Sequence, residues 1–342
     1  MNIIIPMAGM GTRMRPHTLT TPKPLIPIAG KSIVERLCED IVEVCDEKVE
    51  EIGFIVGRFG KKVEESLIGI ANNLGAKGRI YYQDEPLGTA HAVFCAKESL
   101  FNKVIVAFSD TLFDAQFKLK MNNQGIIWTH KVEDPSAFGV VKKDEKGLIT
   151  AFVEKPKEFV SNEAIIGIYY FEDGAFLKKE LEYLIENNLS KGGEFLLTDA
   201  LDNMLIKGLR FSTQSVEKWL DCGNKDATVN TNRVVLDLKY EKENMANYDN
   251  SLIRDTTIIP PCYIGRNVRI SNSKIGPYVS IGEGTIVEGS TIENAMIQTN
   301  TKIKDSNIEN SMIGNYVVVE KINNEVSLGD YSTITFIKKS FK

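Results

Sequence analysis

Cysteine is scarce, odd in number and scattered: Cys38, Cys45, Cys95, Cys222 and Cys262 never fall into a CxxC pair. That spacing points away from a zinc site or a disulfide framework, and reduced, structural thiols are expected. Histidine is rarer still. His17, His91 and His130 lie far apart, form no HExxH-type ligand pair, and have no successor in the last two hundred residues, so packing or surface roles are expected. Positive charge is not in excess either. The 41 Lys and Arg against 46 Asp and Glu leave a net charge of −5 and no broad basic face for a nucleic acid. Long apolar runs are missing as well. No stretch approaches the roughly 18 residues that span a bilayer. The opening MNIIIPMAGMG has no basic residues before its apolar ones, so it reads as a first strand rather than a signal peptide. A cytoplasmic protein with neither membrane nor nucleic-acid partner is expected.

What is present is a chain of two textures. Its 342 residues exceed the usual size of one core, and 43% hydrophobic residues can fill two. Over the first 220 or so residues, short β-branched runs alternate with amphipathic stretches, the pattern of an α/β domain with a mostly parallel sheet. Ile3 to Ile5, Gly53–Val56, Arg79–Gln83 and Val104–Ser109 read as strands joined by three helical crossovers. Ser32-Ile33-Val34-Glu35 reads as a capping box opening a helix whose apolar positions are Ile33, Leu37, Ile41 and Val44. Gly139–Lys143 and Leu148–Glu154 flank a polar, glycine-ended turn, which predicts a β-hairpin added to the sheet.

After about residue 245 helical periodicity vanishes, and single aliphatic residues recur among Gly, Asn, Ser and Thr. One series runs Ile253, Ile264, Ile275, Ile286, Ile297, Ile308, Val319; a second, Ile259, Ile270, Ile281, Ile292, Ile303, falls six residues after members of the first. Steps alternating between six and five approach hexapeptide repeats that stack into a parallel β-helix. Residues 225–247 read as a helix or linker, and Thr333 to Lys342 as nothing firmer than a closing strand.

Gly9-Met10-Gly11-Thr12-Arg13 follows the first strand. Its glycines let the backbone approach a ligand, its threonine offers a hydroxyl, and its arginine suits phosphate oxygens. A dinucleotide fingerprint would need a third glycine where Met14 stands, and a Walker A loop needs Gly-Lys-Ser/Thr, which is absent. Thr21-Pro22-Lys23-Pro24 then holds a lysine between two stiff prolines.

These two motifs at this separation resemble the sugar-1-phosphate nucleotidyltransferase family. The resemblance implies an α/β, Rossmann-like mixed-sheet catalytic domain at 1–224, a helical linker at 225–247, and a left-handed parallel β-helix at 248–335. It implies transfer of a nucleotidyl group from a nucleoside triphosphate to a sugar 1-phosphate, with release of pyrophosphate. Arg13 and Lys23 carry the catalytic charge in that family pattern, and Ala8, Gly9, Gly11 and Thr12 cradle the triphosphate. Gln83, Pro86, Gly88 and Thr89, in Gln83-Asp84-Glu85-Pro86-Leu87-Gly88-Thr89-Ala90, resemble its base-recognition segment. Asp110 (after Ser109, where glycine is commoner) and Asp221 (before Cys222, where threonine is commoner) resemble its two Mg²⁺-binding aspartates. Gly139, Glu154, Lys155 and Gly167 resemble its sugar-phosphate site. Glu194 and Asp199 also match a family motif, but that segment reads chiefly as a helix start capped by Thr198 or Asp199.

The two-part layout looks most like the longer glucose-1-phosphate thymidylyltransferases, which favours dTTP and glucose 1-phosphate. Mannose-1-phosphate guanylyltransferases share the layout, and UTP-using relatives remain open. A catalytically inactive regulatory relative is a further alternative. An acyl-transferring β-helix is disfavoured because the repeats contain no histidine to serve as general base. Assembly or regulation is the expected role of the repeats, with a homo-oligomer as the expected state.

Overall fold

The computed structural model describes residues 1–115, 117–119, 123–246, 248 and 251–336. The contacts among them divide the chain into two compact units: residues 1–9 with 34–219, and residues 10–33 with 220–342. This grouping cuts across sequence order, because the segment 10–33 gathers with the C-terminal residues.

The first unit is built on a nine-stranded sheet. Its strands are β1 (Asn2–Pro6), β2 (Glu51–Val56), β3 (Lys77–Tyr82), β4 (Val104–Ala107), β5 (Gly125–Lys131), β6 (Gly139–Lys143), β7 (Ile149–Glu154), β8 (Glu163–Phe171) and β9 (Phe211–Ser215). The main order is β7-β6-β8-β4-β1-β2-β3, with β5 on β8 and β9 on β5. Strands β1, β2, β3 and β4 are parallel, as the three crossovers require. Every residue of β1, β2 and β4 is buried, so these strands read as continuous apolar runs rather than alternating ones. The connecting helices are α1 (Ile33–Val44), which begins directly after Ser32, α2 (Lys61–Asn73) and α3 (Thr89–Cys95); α4 (Gly174–Glu186) and α5 (Leu197–Ile206) follow β8. The expected hairpin joins β6 to β7 in antiparallel register. Its turn is closed by the Asp144 carboxylate, which accepts from the amides of Lys146 and Leu148, and by Gly147 at φ +79°.

One helix start differs from expectation. Leu196 precedes α5 without a side-chain cap, and neither Thr198 nor Asp199 takes that place. The hydroxyl of Thr89, more than a hundred residues away, accepts the amide of Leu197 at 2.9 Å instead. Asp199 lies in the first turn and pairs with Lys191 at 2.5 Å.

In the second unit, residues 252–335 wind as a parallel β-helix with three faces of six, four and five strands. The inward residues Ile253, Ile270, Val287, Ile303, Val319 and Ile334 stack on one face. A coil therefore takes 17 residues at the start (253 to 270) and 15 at the end (319 to 334). This corrects the two eleven-residue series at two places. Val287 points inward rather than Ile286, and Ile258 packs on the core rather than Ile259. Three inward columns close each turn with steps of five or six, so an eleven-residue interval is one short step plus one long step and drifts from face to face. Left-handed corner residues recur with the same spacing, for example Asn267, Gly284, Asn300, Tyr316 and Tyr331; asparagine and glycine tolerate that backbone at least cost. Buried hydroxyls satisfy the corner amides, with Ser273 accepting from the Ser290 amide, and Ser290 from that of Ser306.

The stretch read as a helix or linker is the helix α6 (Lys225–Lys239), capped by Asn224, whose side chain accepts from the Ala227 amide at 3.0 Å. The closing strand covers Thr333–Thr335; the rest of that expectation, residues 337–342, lies outside the described residues. No disulfide joins the five cysteines, and burial pushes the thiols of Cys45 and Cys262 up to about 12 and about 11. No helix among the described residues is long and apolar enough to cross a membrane.

Candidate active site

In the first unit the candidate residues collect where parallel strands end. Ligands of open α/β sheets bind at that edge, because the loops leaving the strands' carboxyl ends form a crevice there. β1 runs out through Met7 and Ala8 to Gly9, and a Cβ on Gly9 would meet nothing within 4 Å. β4 runs out to Ser109 and half-buried Asp110. The Ser109 hydroxyl donates to the Pro6 carbonyl at 3.1 Å, so the serine that replaces the commoner glycine ties the two strand ends together.

Gln83 follows β3, and its amide nitrogen donates to the Gly88 carbonyl at 3.2 Å. A carbonyl can only accept, which fixes the amide's orientation. The same nitrogen lies 3.2 Å from His91 Nδ1, so that ring atom accepts and carries no proton. Partial burial pushes His91 down from its ordinary pKa, in keeping with a neutral ring. Nothing in the sequence pointed to His91; only its position one turn into α3 brings it to Gln83. Gly88 has φ +104°, and a Cβ there would stand 2.5 Å from the Phe195 carbonyl, so glycine is required on both counts. Pro86 is exposed beside it. Thr89 is engaged in capping α5.

The sugar-phosphate candidates sit on the antiparallel half of the same sheet. Glu154 ends β7 opposite Gly139 on β6, and its carboxylate would be 3.0 Å from a Cβ at that glycine. The missing side chain is the space the carboxylate occupies. Lys155 follows at φ +43°, with its amide donating to the Phe138 carbonyl at 3.1 Å. Such a backbone is strained for a non-glycine residue, and strain of this kind gathers at ligand sites. Phe138 packs edge-on against Trp219 with ring centroids 4.7 Å apart. Gly167 has φ +85° within an irregular stretch of β8, and its carbonyl accepts the Phe108 amide at 2.9 Å.

In the second unit the segment 10–33 is a succession of tight turns. Gly11 adopts the left-handed conformation, and a Cβ there would press on Lys23 and Thr18, at 3.0 and 3.1 Å. The Gly11 carbonyl accepts from the Thr18 hydroxyl at 2.8 Å and from the Met14 amide. That closes the loop bearing Thr12 and Arg13, both exposed. Lys23 is 8% exposed and opens a turn in which the Pro22 carbonyl accepts the Leu25 amide. His17 is buried and lies 3.0 Å from the Ser327 hydroxyl. Burial lowers its pKa to about 4 against the pull of Asp330, with Lys225 adding to the lowering. Its packing role thus follows expectation.

Asp221 is half buried, and its carboxylate accepts the Gly223 amide at 2.9 Å. Its carbonyl accepts from Thr231 of α6 at 2.8 Å, and Cys222 is buried beside it. Among the described residues no three His, Cys, Asp or Glu side chains gather into a closed metal site.

The first unit is thus an α/β sheet with candidate residues at its strand ends, and the glycine turn at Gly11 and the turn of Lys23 belong to the second unit. The family model described as nucleotidyl transferase matches residues 2–237, and the chain belongs to that family. It is an enzyme of the transferase class. Over 84% of its length it is 30% identical to the low-salt glycan biosynthesis nucleotidyltransferase Agl11 of Haloferax volcanii, of which it covers 85%. Over 89% of its length it is 29% identical to a glucose-1-phosphate thymidylyltransferase of Streptomyces antibioticus, of which it covers 88%. A Bacillus anthracis crystal structure assigned as a glucose-1-phosphate thymidylyltransferase superposes with a TM-score of 0.58 at 23% identity, covering 68% of this chain and 94% of that one. That likeness is one of fold.

Proposed function

We propose that this enzyme joins a nucleoside triphosphate to a sugar 1-phosphate, with dTTP and glucose 1-phosphate the favoured pair. The observation that carries the reading is the pairing of Glu154 with Gly139, with Lys155 at positive φ next in line. A carboxylate that can accept sugar hydroxyls thus stands beside a cation suited to a phosphate, in a family defined by nucleotidyl transfer. The choice of thymine and glucose leans on the Streptomyces relative's name.

An oxygen of the sugar phosphate attacks the α-phosphorus; the bond from that phosphorus to the bridging oxygen breaks, and pyrophosphate leaves with the electron pair. Both reactants are anions, and the nucleophile is already ionised at neutral pH, so no general base is needed. Charge neutralisation and alignment are the protein's contribution, and alignment alone is worth roughly 7–11 kcal/mol in favourable cases. Arg13 and Lys23 neutralise the triphosphate, which Ala8, Gly9, Gly11 and Thr12 cradle, and Lys155 holds the sugar phosphate. Gln83 commits its amide nitrogen to Gly88 and His91, which leaves its oxygen to accept an N–H of the base, with Pro86, Gly88 and Thr89 alongside.

Asp110 and Asp221 offer hard carboxylate oxygens for a divalent ion. They would hold Mg²⁺, a hard cation that takes few carboxylates and fills its shell with substrate phosphate oxygens and water. When bound, the ion supplies charge neutralisation at the phosphates.

In this reading the chemistry resides in residues 1–224, α6 lies in a linker spanning 225–247, and the repeats of 248–335 serve support and homo-oligomeric assembly in the cytoplasm. A panel of nucleoside triphosphates against several sugar 1-phosphates, read by pyrophosphate release, tests the proposal. Fastest release is expected from dTTP with glucose 1-phosphate. A different best pair reassigns the substrates, and silence across the panel overturns the activity.

A further inference from the structure

The strap from Pro16 to Gly30 connects the two catalytic cations to the rest of the second unit, and it is fastened at its two ends. At the near end Pro16 lies against Gly329, where an added Cβ would come within 2.9 Å. His17 meets Ser327, and the Thr20 hydroxyl donates to Asp330 Oδ2 at 2.7 Å. At the far end the Ala29 amide donates to the buried Asn232 side chain at 3.0 Å, and Asn232 also accepts from Ser280 at 2.7 Å. Between the ends Ile26 and Ile28 are buried, and two open cavities flank the strap. One cavity of about 220 Å³ lies among His17, Leu25, Met312, Asn315 and Asp330. Another of about 200 Å³ lies among Pro27, Tyr263, Ser280 and Gln298.

Asp330 is itself held from below. Its carboxylate accepts the backbone and side-chain N–H groups of Asn315 at 2.8 and 3.1 Å. Asn315 in turn accepts the amide and hydroxyl of Thr299 at 3.1 and 2.7 Å. These three residues come from successive coils, so a column of hydrogen bonds climbs the β-helix and ends on Thr20.

We propose that Asp330 is a positioning residue for the triphosphate grip: through Thr20 it fixes the strap that bears Lys23 and follows Arg13. The last coil of the β-helix thereby governs turnover without touching either substrate. The inference rests on the nucleotidyl-transfer reading above, and its test separates the two.

Thr20 is exposed, so Thr20→Val, which removes the hydroxyl, leaves the fold intact, and Thr20→Ser restores the hydroxyl. With a charge-assisted hydrogen bond lost, Thr20→Val should lower kcat/KM for the nucleotide roughly fivefold to tenfold. KM for the sugar phosphate should stay within about twofold, and Thr20→Ser should return to wild-type values. Asp330→Ala should act in the same direction, and adding Thr20→Val to it should cost nothing more. Amide hydrogen exchange across residues 12–25 should quicken in Thr20→Val and Asp330→Ala but not in Thr20→Ser. Unchanged kinetics and exchange in Thr20→Val, or an equal loss on both substrates, overturns the proposal. If the wild-type enzyme releases no pyrophosphate from any pair, the activity reading falls. The exchange experiment then decides the strap alone: faster exchange upholds the anchoring contact, and unchanged exchange removes it.

Discussion

The two compact units carry candidate residues on unlike supports. In the first, Gln83, Asp110, Glu154 and Lys155 each stand at or just beyond the end of a strand of one nine-stranded sheet, whose strands β1, β2 and β4 are buried throughout. In the second, Arg13 and Lys23 stand on tight turns closed by a few hydrogen bonds, among them Thr18 to the Gly11 carbonyl and the Leu25 amide to Pro22, and Asp221 ends the short strand Lys218–Asp221, its carbonyl accepting from Thr231. A strand end inherits its position from a whole core, whereas a turn inherits it from a few polar atoms. Sites built on regular elements are held more tightly than sites on loops, unless a surrounding shell compensates. Here the β-helix and α6 supply that shell.

The comparison can be broken or sharpened by substitution. The largest effect is expected where both supports carry the same kind of group: Asp110→Asn and Asp221→Ala should each reduce turnover about a thousandfold. Thermal melting should show the fold retained, and full activity in both variants would remove the metal assignment. Next, the substrates should separate by unit. Lys155→Ala should raise KM for the sugar phosphate about tenfold to a hundredfold with little change for the nucleotide, and Arg13→Ala should do the reverse. Equal effects on both substrates in either variant would dissolve the division.

The smallest effect concerns acid. Folded His17 has its pKa lowered to about 4, whereas an exposed imidazole titrates near 6.5. Between those values the unfolded chain holds a proton that the folded one lacks, so stability is complete above pH 6.5 and falls with pH through that window. By pH 5 the loss from this one group is about 2 kcal/mol. His17→Gln should flatten that part of a denaturant-melt profile, and parallel profiles for the two proteins would show that His17 is not the sensitive group.

What could be read before folding were the features in which neighbours in sequence carry the signal. Glycines at 9 and 11, the lysine between two prolines, the hairpin ended by Gly147 and the aliphatic beat of the repeats are all local patterns. The beat misled at Ile286 and Ile259, because a five-or-six step tolerates a shift of one residue whenever an adjacent position, Val287 or Ile258, is also aliphatic. The cap of α5 was misread because its acceptor, Thr89, comes from another helix. The grouping of residues 10–33 with the C-terminal coils was invisible for the same reason on a larger scale: His17 and Ser327 are 310 positions apart. Nothing within a window of either residue announces the other.

The column that rises from Thr299 through Asn315 to Asp330 has a consequence for gene architecture. A cut after residue 224 would preserve every motif of the triphosphate grip while discarding Asn232, Ser280, Ser327 and Asp330, the residues on which the strap rests. Exchanging the repeats for those of a relative with one coil more or fewer would leave no carboxylate at the height of Thr20. On the proposed role of Asp330, the number of coils is a length that the strap has to match.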